Sequence, residues 1–508
     1  MQFKHSFILG FLALVFLSGC YQPGPGSTPW QVSWAEGFEP EVTLPAVGGS
    51  DPVEVPFVPQ ISDATPTPNP PITLPTPRSE TITHVVVPGD YLRKIAQRYQ
   101  VSIAQIVDAN EITDPNLIEV GQVLLIPPPS FDAVAPAFKI LPDSELVYSP
   151  GNAGFDIAGF VATQAGYLSV YSEEVDGARM GGAEIVERVA VEYSVNPRLL
   201  LTLLEFQSQW VTDSTPPEET LDYPLRYYDS WRSGLYAQLA WAANLLNEGY
   251  YLWKLEAISV WMLSDSSIIE VDPTINAGTA GVLNLMRYLA TPADWDRVAS
   301  EGGIFATYYA FFGYPFAYAI EPMIPPGLAQ PELQLPFEGG AVWSYTGGPH
   351  GGWGTGSAWA GLDFAPPGDA LGCVPSDAWV VAVAPGEIVY SAQGAVIQVL
   401  NGDGVWQTGW SILYMHIEAR DRVPVGTTLA AGERIGHPSC EGGFSTGTHL
   451  HIARRYNGEW ISADGDLPFV MDGWESTGYG VEYNGNLVKG DQVLEAWNGR
   501  SPRNAIQR

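Results

Sequence analysis

The spacing of apolar residues changes character twice after His84, and no single architecture accommodates the three regimes that result. Between His84 and Pro127 the pattern is strand, helix, helix, strand. Val85 to Val87 reads as a strand, and Pro88-Gly89-Asp90 as a turn into a helix with Leu92, Ile95, Ala96 and Tyr99 on one face. A second helix begins at Ser102, with Gln105 completing a capping box, and Gly121 to Pro127 supplies a closing strand. From about Gly177 to Tyr318 the period is helical: Glu184 to Tyr193, a helix Arg198 to Trp210 entered through Asn196-Pro197, Leu235 to Glu248, and Ala280 to Ala290. From about Pro336 onward, short apolar runs broken by Gly and Pro indicate an all-β region, as in Trp379 to Val383 and Ala395 to Leu400. A chain of 508 residues also exceeds what one hydrophobic core usually serves.

Ahead of these regions, Lys4 and His5 precede an apolar run, Phe7 to Leu17, that is too short to span a bilayer and suits an export signal. It ends in Leu17-Ser18-Gly19-Cys20, which resembles the bacterial lipobox. That resemblance implies a lipoprotein signal peptide over 1–20, lipidation of Cys20 and an extracytoplasmic protein held to the cell membrane by acyl chains. Residues 21–83, rich in Pro and Thr, are expected to form a disordered tether. Beyond Cys20 the chain has only Cys373 and Cys440, which form one disulfide or remain two buried thiols. A formal charge of −33 argues against nucleic acid or an anionic lipid surface as partner.

The 84–128 module resembles a LysM domain through Gly89-Asp90, Leu92, Ile95-Ala96, Asn110, the Pro115 to Ile118 segment and Gly121-Gln122 with Leu124 and Ile126-Pro127. It departs from that family at Tyr91, where Thr is usual. The resemblance implies a groove for N-acetylglucosamine-containing glycans, with Gly89, Asp90, Leu92, Asn116, Leu117 and Ile118 as candidates to line it. Residues 129–176 are expected to be linker. In the helical region 177–320, Tyr193 to Ser208 weakly resembles the catalytic helix of lysozyme-like transglycosylases. The position of the catalytic Glu is Gln207, which lacks an acidic proton, so the region is read as a non-catalytic, possibly degenerate lysozyme-like module.

In region 336–508, His449-Leu450-His451 places two imidazoles on one face of a strand, since residues two apart point the same way. With the Gly-rich approach Gly442 to Thr448, and with Leu413 to His416 upstream, this stretch resembles the lysostaphin/LytM zinc endopeptidases. Most of that family place a ligand His four residues before the ligand Asp, but here Trp359 stands four before Asp363. A subgroup resembling β-lytic protease uses a longer Gly-rich loop opening with Gly-Gly-x-His, matched by Gly347-Gly348-Pro349-His350, thirteen residues before Asp363. Cys440, followed by Glu441-Gly442-Gly443, is a further feature of that subgroup.

This resemblance implies one Zn²⁺ per chain held by His350, Asp363 and His451, with His416 and His449 as catalytic residues. Tyr479 and Tyr483 are candidate donors to an oxyanion. The expected protein is therefore multidomain: a small βααβ LysM module, an α-helical middle domain and an all-β C-terminal metallopeptidase domain. Its expected function is hydrolysis of peptide cross-links in peptidoglycan, gripping the glycan through LysM and the stem or cross-bridge peptide through the protease domain. The alternative is a non-catalytic lipoprotein that activates cell-wall amidases.

Overall fold

A computed structural model describes residues 72–131, 133–369 and 371–508. The export signal, Cys20 and most of the expected tether lie outside the described residues.

The first module is built as its periodicity predicts. Strand β1 (Ile82–Val85) pairs antiparallel with β2 (Val123–Ile126), and helices α1 (Leu92–Tyr99) and α2 (Ile103–Asn110) pack on them. Ser102 caps α2 by accepting from Gln105 N at 3.0 Å, and the Gln105 side chain accepts from Ser102 N at 2.8 Å. The strand begins earlier than Val85 to Val87 because Val87 already belongs to the turn: its carbonyl accepts from Asp90 N at 3.0 Å. Leu92, Ile95, Ala96, Ile106, Leu124 and Ile126 form a small core that Met262 and Ile268 of the middle region complete. The module is thus docked; Arg93 Nη1 donates to Ser264 O at 2.8 Å.

The middle region contains α3 (Ile157–Gln164), α4 (Gly182–Tyr193), α5 (Pro197–Ser208), α6 (Leu235–Lys254), α7 (Ala277–Leu289), α8 (Pro292–Val298) and α9 (Ala306–Phe312). Asn196 starts α5, its side chain accepting from Arg198 N at 2.9 Å with Pro197 behind it. Two expectations need correction. Residues 129–176 are not linker. They contain α3 and several short turns, and Ile140, Leu141, Leu146, Val147 and Leu168 are buried in the main core. Single-turn elements show no period, so the pattern concealed this burial. The end of the expected tether also packs: Ile72 N donates to Pro273 O at 3.2 Å, and Ile72 and Leu74 lie against the helical core. The helical region also carries short β elements, hairpin Ser172–Val175 with Ala178–Gly181 and strands Val260–Met262 and Ile268–Glu270.

The C-terminal region is built on a nine-stranded antiparallel sheet. Its central strands run in the order Gly386–Ala392, Ala395–Val399, Trp410–Met415, Leu450–Tyr456, Gly361–Ala365 and Val342–His350. Alternation sends Val396, Ile412, Tyr414, Leu450 and Ile452 to one face, where they pack with Phe337, Trp343 and Phe364. Ala395, Ile397, Val399, Leu413, Met415 and Ala453 point to the other face and share one core with the helical body. Between the two regions, Trp460 Nε1 donates to Tyr193 O at 3.3 Å, Ser194 Oγ to Gly458 O at 2.6 Å, and Lys254 pairs with buried Glu459.

Candidate metal centre

Strand pairing brings the sequence-predicted residues together. In register, His451 lies opposite Asp363, Met415 opposite His451, and His350 opposite Gly361. Register shifts on either side of Gly347 let the strand that ends at His350 close over Asp363. Gly361 is required by this approach, because a Cβ there would come within 2.2 Å of His451 Cε1.

His350 Nε2 stands 2.9 Å from His451 Nδ1 and 3.2 Å from Asp363 Oδ1, and His451 Nδ1 stands 3.1 Å from Asp363 Oδ1. Among the described residues, these three form the one group of His, Cys, Asp and Glu side chains close enough to share an ion, and all are buried. A tetrahedral zinc with bonds of about 2.0–2.1 Å needs ligand atoms roughly 3.3 Å apart, close to this spacing. The outer nitrogens strengthen the fit. His350 Nδ1–H donates to Gly348 O at 2.7 Å and His451 Nε2–H to Gly352 O at 3.0 Å. With those protons committed, the neutral rings turn lone pairs toward each other and toward a carboxylate, an arrangement that calls for a cation.

The electrostatics favour positive charge beside Asp363. Burial opposes charge on Asp363, yet His350 and His449 overrule it and hold the carboxyl well below the usual range. Burial also opposes charge on His350, but Asp363 and the Gly348 carbonyl raise its pKa. Burial, together with the neighbouring His449 and His451, pushes His416 well below the ordinary imidazole value and so keeps it neutral.

His449 Nε2 lies 3.7 Å from Asp363 Oδ1, and the His416 and His449 rings are 4.4 Å apart. Each has its Nδ1–H occupied: His449 donates to Gly447 O at 2.7 Å and His416 to Glu441 O at 3.0 Å. In the neutral rings this leaves the lone pairs on the Nε2 atoms. His416 sits at φ +63°, a conformation an imidazole residue adopts at a cost and one that clusters at functional sites. Cys373 and Cys440 are disulfide-bonded, their Cα atoms 5.7 Å apart.

Sequence reading did not find the four carbonyls of Gly348, Gly352, Glu441 and Gly447 that orient the rings, because a backbone acceptor has no residue signature. Tyr483 stacks on His350 with ring centroids 4.2 Å apart, whereas the exposed Tyr479 accepts from Asn486. His437 lies apart, against Trp379 and the Ala378 carbonyl.

Elsewhere, Glu205, near Gln207 in the helical body, accepts from Thr212 N at 3.1 Å and from the Thr212 hydroxyl at 2.6 Å. In the first module, Gly89, Asn116 and Leu117 are exposed and Ile118 is half-buried. Leu92 is core, and Asp90 turns inward to His84 Nε2 at 2.8 Å and Val87 N at 3.0 Å.

Comparison with known proteins gives three matches along the chain. Residues 84–127 match the LysM domain, 139–325 match the LasA N-terminal domain, and 358–463 match peptidase family M23. The second match gives the helical body a relationship other than the lysozyme-like one. The chain is 27% identical over 345 residues to protease LasA of Pseudomonas aeruginosa (strain UCBPP-PA14), covering 64% of this chain and 75% of that protein. It is 28% identical over 159 residues to the beta-lytic metalloendopeptidase of Lysobacter enzymogenes, covering 31% and 85%. Among solved structures, the M23 metalloprotease pseudoalterin aligns at 22% identity and TM-score 0.28, covering 35% of this chain and all of that one. The chain thus joins a LysM domain to a peptidase domain of family M23.

Proposed function

We propose that this chain is an exported zinc endopeptidase that binds peptidoglycan through its LysM domain and hydrolyses the peptide cross-links. The observation that carries this reading is the convergence of His350 Nε2, Asp363 Oδ1 and His451 Nδ1, with both outer ring protons tied to carbonyls. When bound, Zn²⁺ supplies a Lewis acid for the scissile carbonyl. In their neutral forms His449 and His416 present Nε2 lone pairs beside this centre. They are suited to take a proton from the attacking water and return one to the leaving amine. Names of relatives support the substrate class: one is a beta-lytic metalloendopeptidase, and an N-acetylmuramoyl-L-alanine amidase from Bacillus subtilis is 36% identical over 120 residues, covering 22% of this chain and 39% of that protein. Export and lipidation at Cys20 complete the proposal, and Gly89, Asn116, Leu117 and Ile118 offer the exposed part of the glycan surface.

The test is zinc content per chain together with the appearance of new amino termini in purified peptidoglycan. Stoichiometric zinc with amino-group release supports the reading. A zinc-free chain that releases nothing but stimulates a cell-wall amidase replaces it with the activator alternative. Labelling with a fatty acid, lost in Cys20→Ser, tests the anchor.

A further inference from the structure

The loop joining His350 to Asp363 has no strand or helix of its own, and it lies against the helical body. Gly356 N donates to Asn244 Oδ1 at 2.9 Å, and Asn244 Nδ2 lies 3.3 Å from the Thr355 hydroxyl. Asn244 belongs to α6, outside the peptidase domain. The fit leaves no slack, since a Cβ on Gly356 would stand 1.9 Å from the Asn244 backbone oxygen. Within the loop, Ser357 Oγ accepts from Trp353 N and donates to Gly354 O, both at 3.1 Å, while the Trp353 ring is buried in the core shared with the helical body. Gly352 N is fixed by Ala358 O at 3.1 Å. These contacts end on the Gly352 carbonyl, which receives His451 Nε2–H at 3.0 Å.

We infer that Asn244 is a positioning residue of the metal centre, supplied by the helical body. It clasps the loop so that the Gly352 carbonyl selects the His451 tautomer whose Nδ1 is free to bind the ion. An imidazole has two nitrogens, and a fixed carbonyl on one of them makes the other the ligand. The consequence for metal affinity rests on the zinc reading above, but the clasp itself does not.

The experiment compares full-length protein with Asn244→Leu, Asn244→Asp and Gly356→Ala. It measures zinc affinity by competition with a chromophoric chelator, then, in metal-free protein, amide exchange over residues 351–356 and the ¹⁵N imidazole shifts of His451. Asn244→Leu and Gly356→Ala are expected to weaken zinc binding by about 10- to 100-fold, the usual scale for a lost outer-shell contact. They should also speed loop exchange and mix the His451 tautomers. Asn244→Asp should remain close to the parent, because a carboxylate still accepts from Gly356 N–H and from the Thr355 hydroxyl. A folded Asn244→Leu chain that binds zinc within about two-fold of the parent overturns the inference. If Asn244→Leu does not fold, Gly356→Ala decides by the same measure. If the parent binds no zinc, the proposed function fails separately, and unchanged exchange and tautomer in Asn244→Leu would then overturn the clasp.

Discussion

Replacing His350 by alanine takes away one of three donors that face each other around Asp363, and zinc content should fall from near one per chain to near zero at micromolar protein. His449→Ala and His416→Ala have a different expected outcome: the metal stays, measured by its stoichiometry, while turnover on peptidoglycan drops by about 10²- to 10⁴-fold. Retained activity in either variant would remove that ring from the proton-transfer role. The sequence made the His449 and His451 pair legible because alternation in a strand is a strict geometric rule. Past the site broken at Trp359, the Gly-Gly-x-His spacing pointed to His350 as the first ligand. What it could not show is how the strand end reaches Asp363, through the register shifts beside Gly347. The inward turn of Asp90 was equally hidden, since a turn carboxylate and a groove carboxylate look alike in one dimension.

At the scale of elements, local chemistry announced itself where it was strong. Ser102 with Gln105, and Asn196 with Pro197, begin helices where their capping chemistry predicts. Ser102→Ala should therefore destabilise the LysM module by about 1 kcal/mol, readable as faster amide exchange in α2. Short elements without period were missed, and 129–176 is the clear case: its buried residues come singly, between turns, so no window of the sequence resembles a helix. The loop that carries Cys440 also holds the Glu441 carbonyl on His416 and the Ser445 hydroxyl 3.2 Å from His449 Nδ1. Removing the bridge with Cys373→Ser and Cys440→Ser together should cost about 4 kcal/mol in the chain-entropy picture for a closure of this length. Thermal unfolding of the oxidised parent and of the double variant checks this.

For the whole molecule, the decisive fact is a core shared across the join between helical body and sheet. Ala395, Ile397, Val399, Leu413, Met415 and Trp460 are buried in one core with residues of the helical body. A fragment of residues 336–508 should consequently expose a continuous apolar face, bind a hydrophobic dye and aggregate. A fragment of residues 129–508 should unfold in one cooperative transition. Independent folding of the shorter piece would show that the shared core is dispensable. Periodicity revealed that three regimes exist but not that they fuse, because a helix pattern records which face is apolar and not what covers it.

The Cys373–Cys440 bridge has one more implication for a protein of this proposed kind. In a reducing interior the two thiols stay apart, and the segment that steadies His416 and His449 is untethered. An oxidising compartment, such as the one the proposed export would reach, closes it. The order of that segment is therefore tied to the redox state of its surroundings.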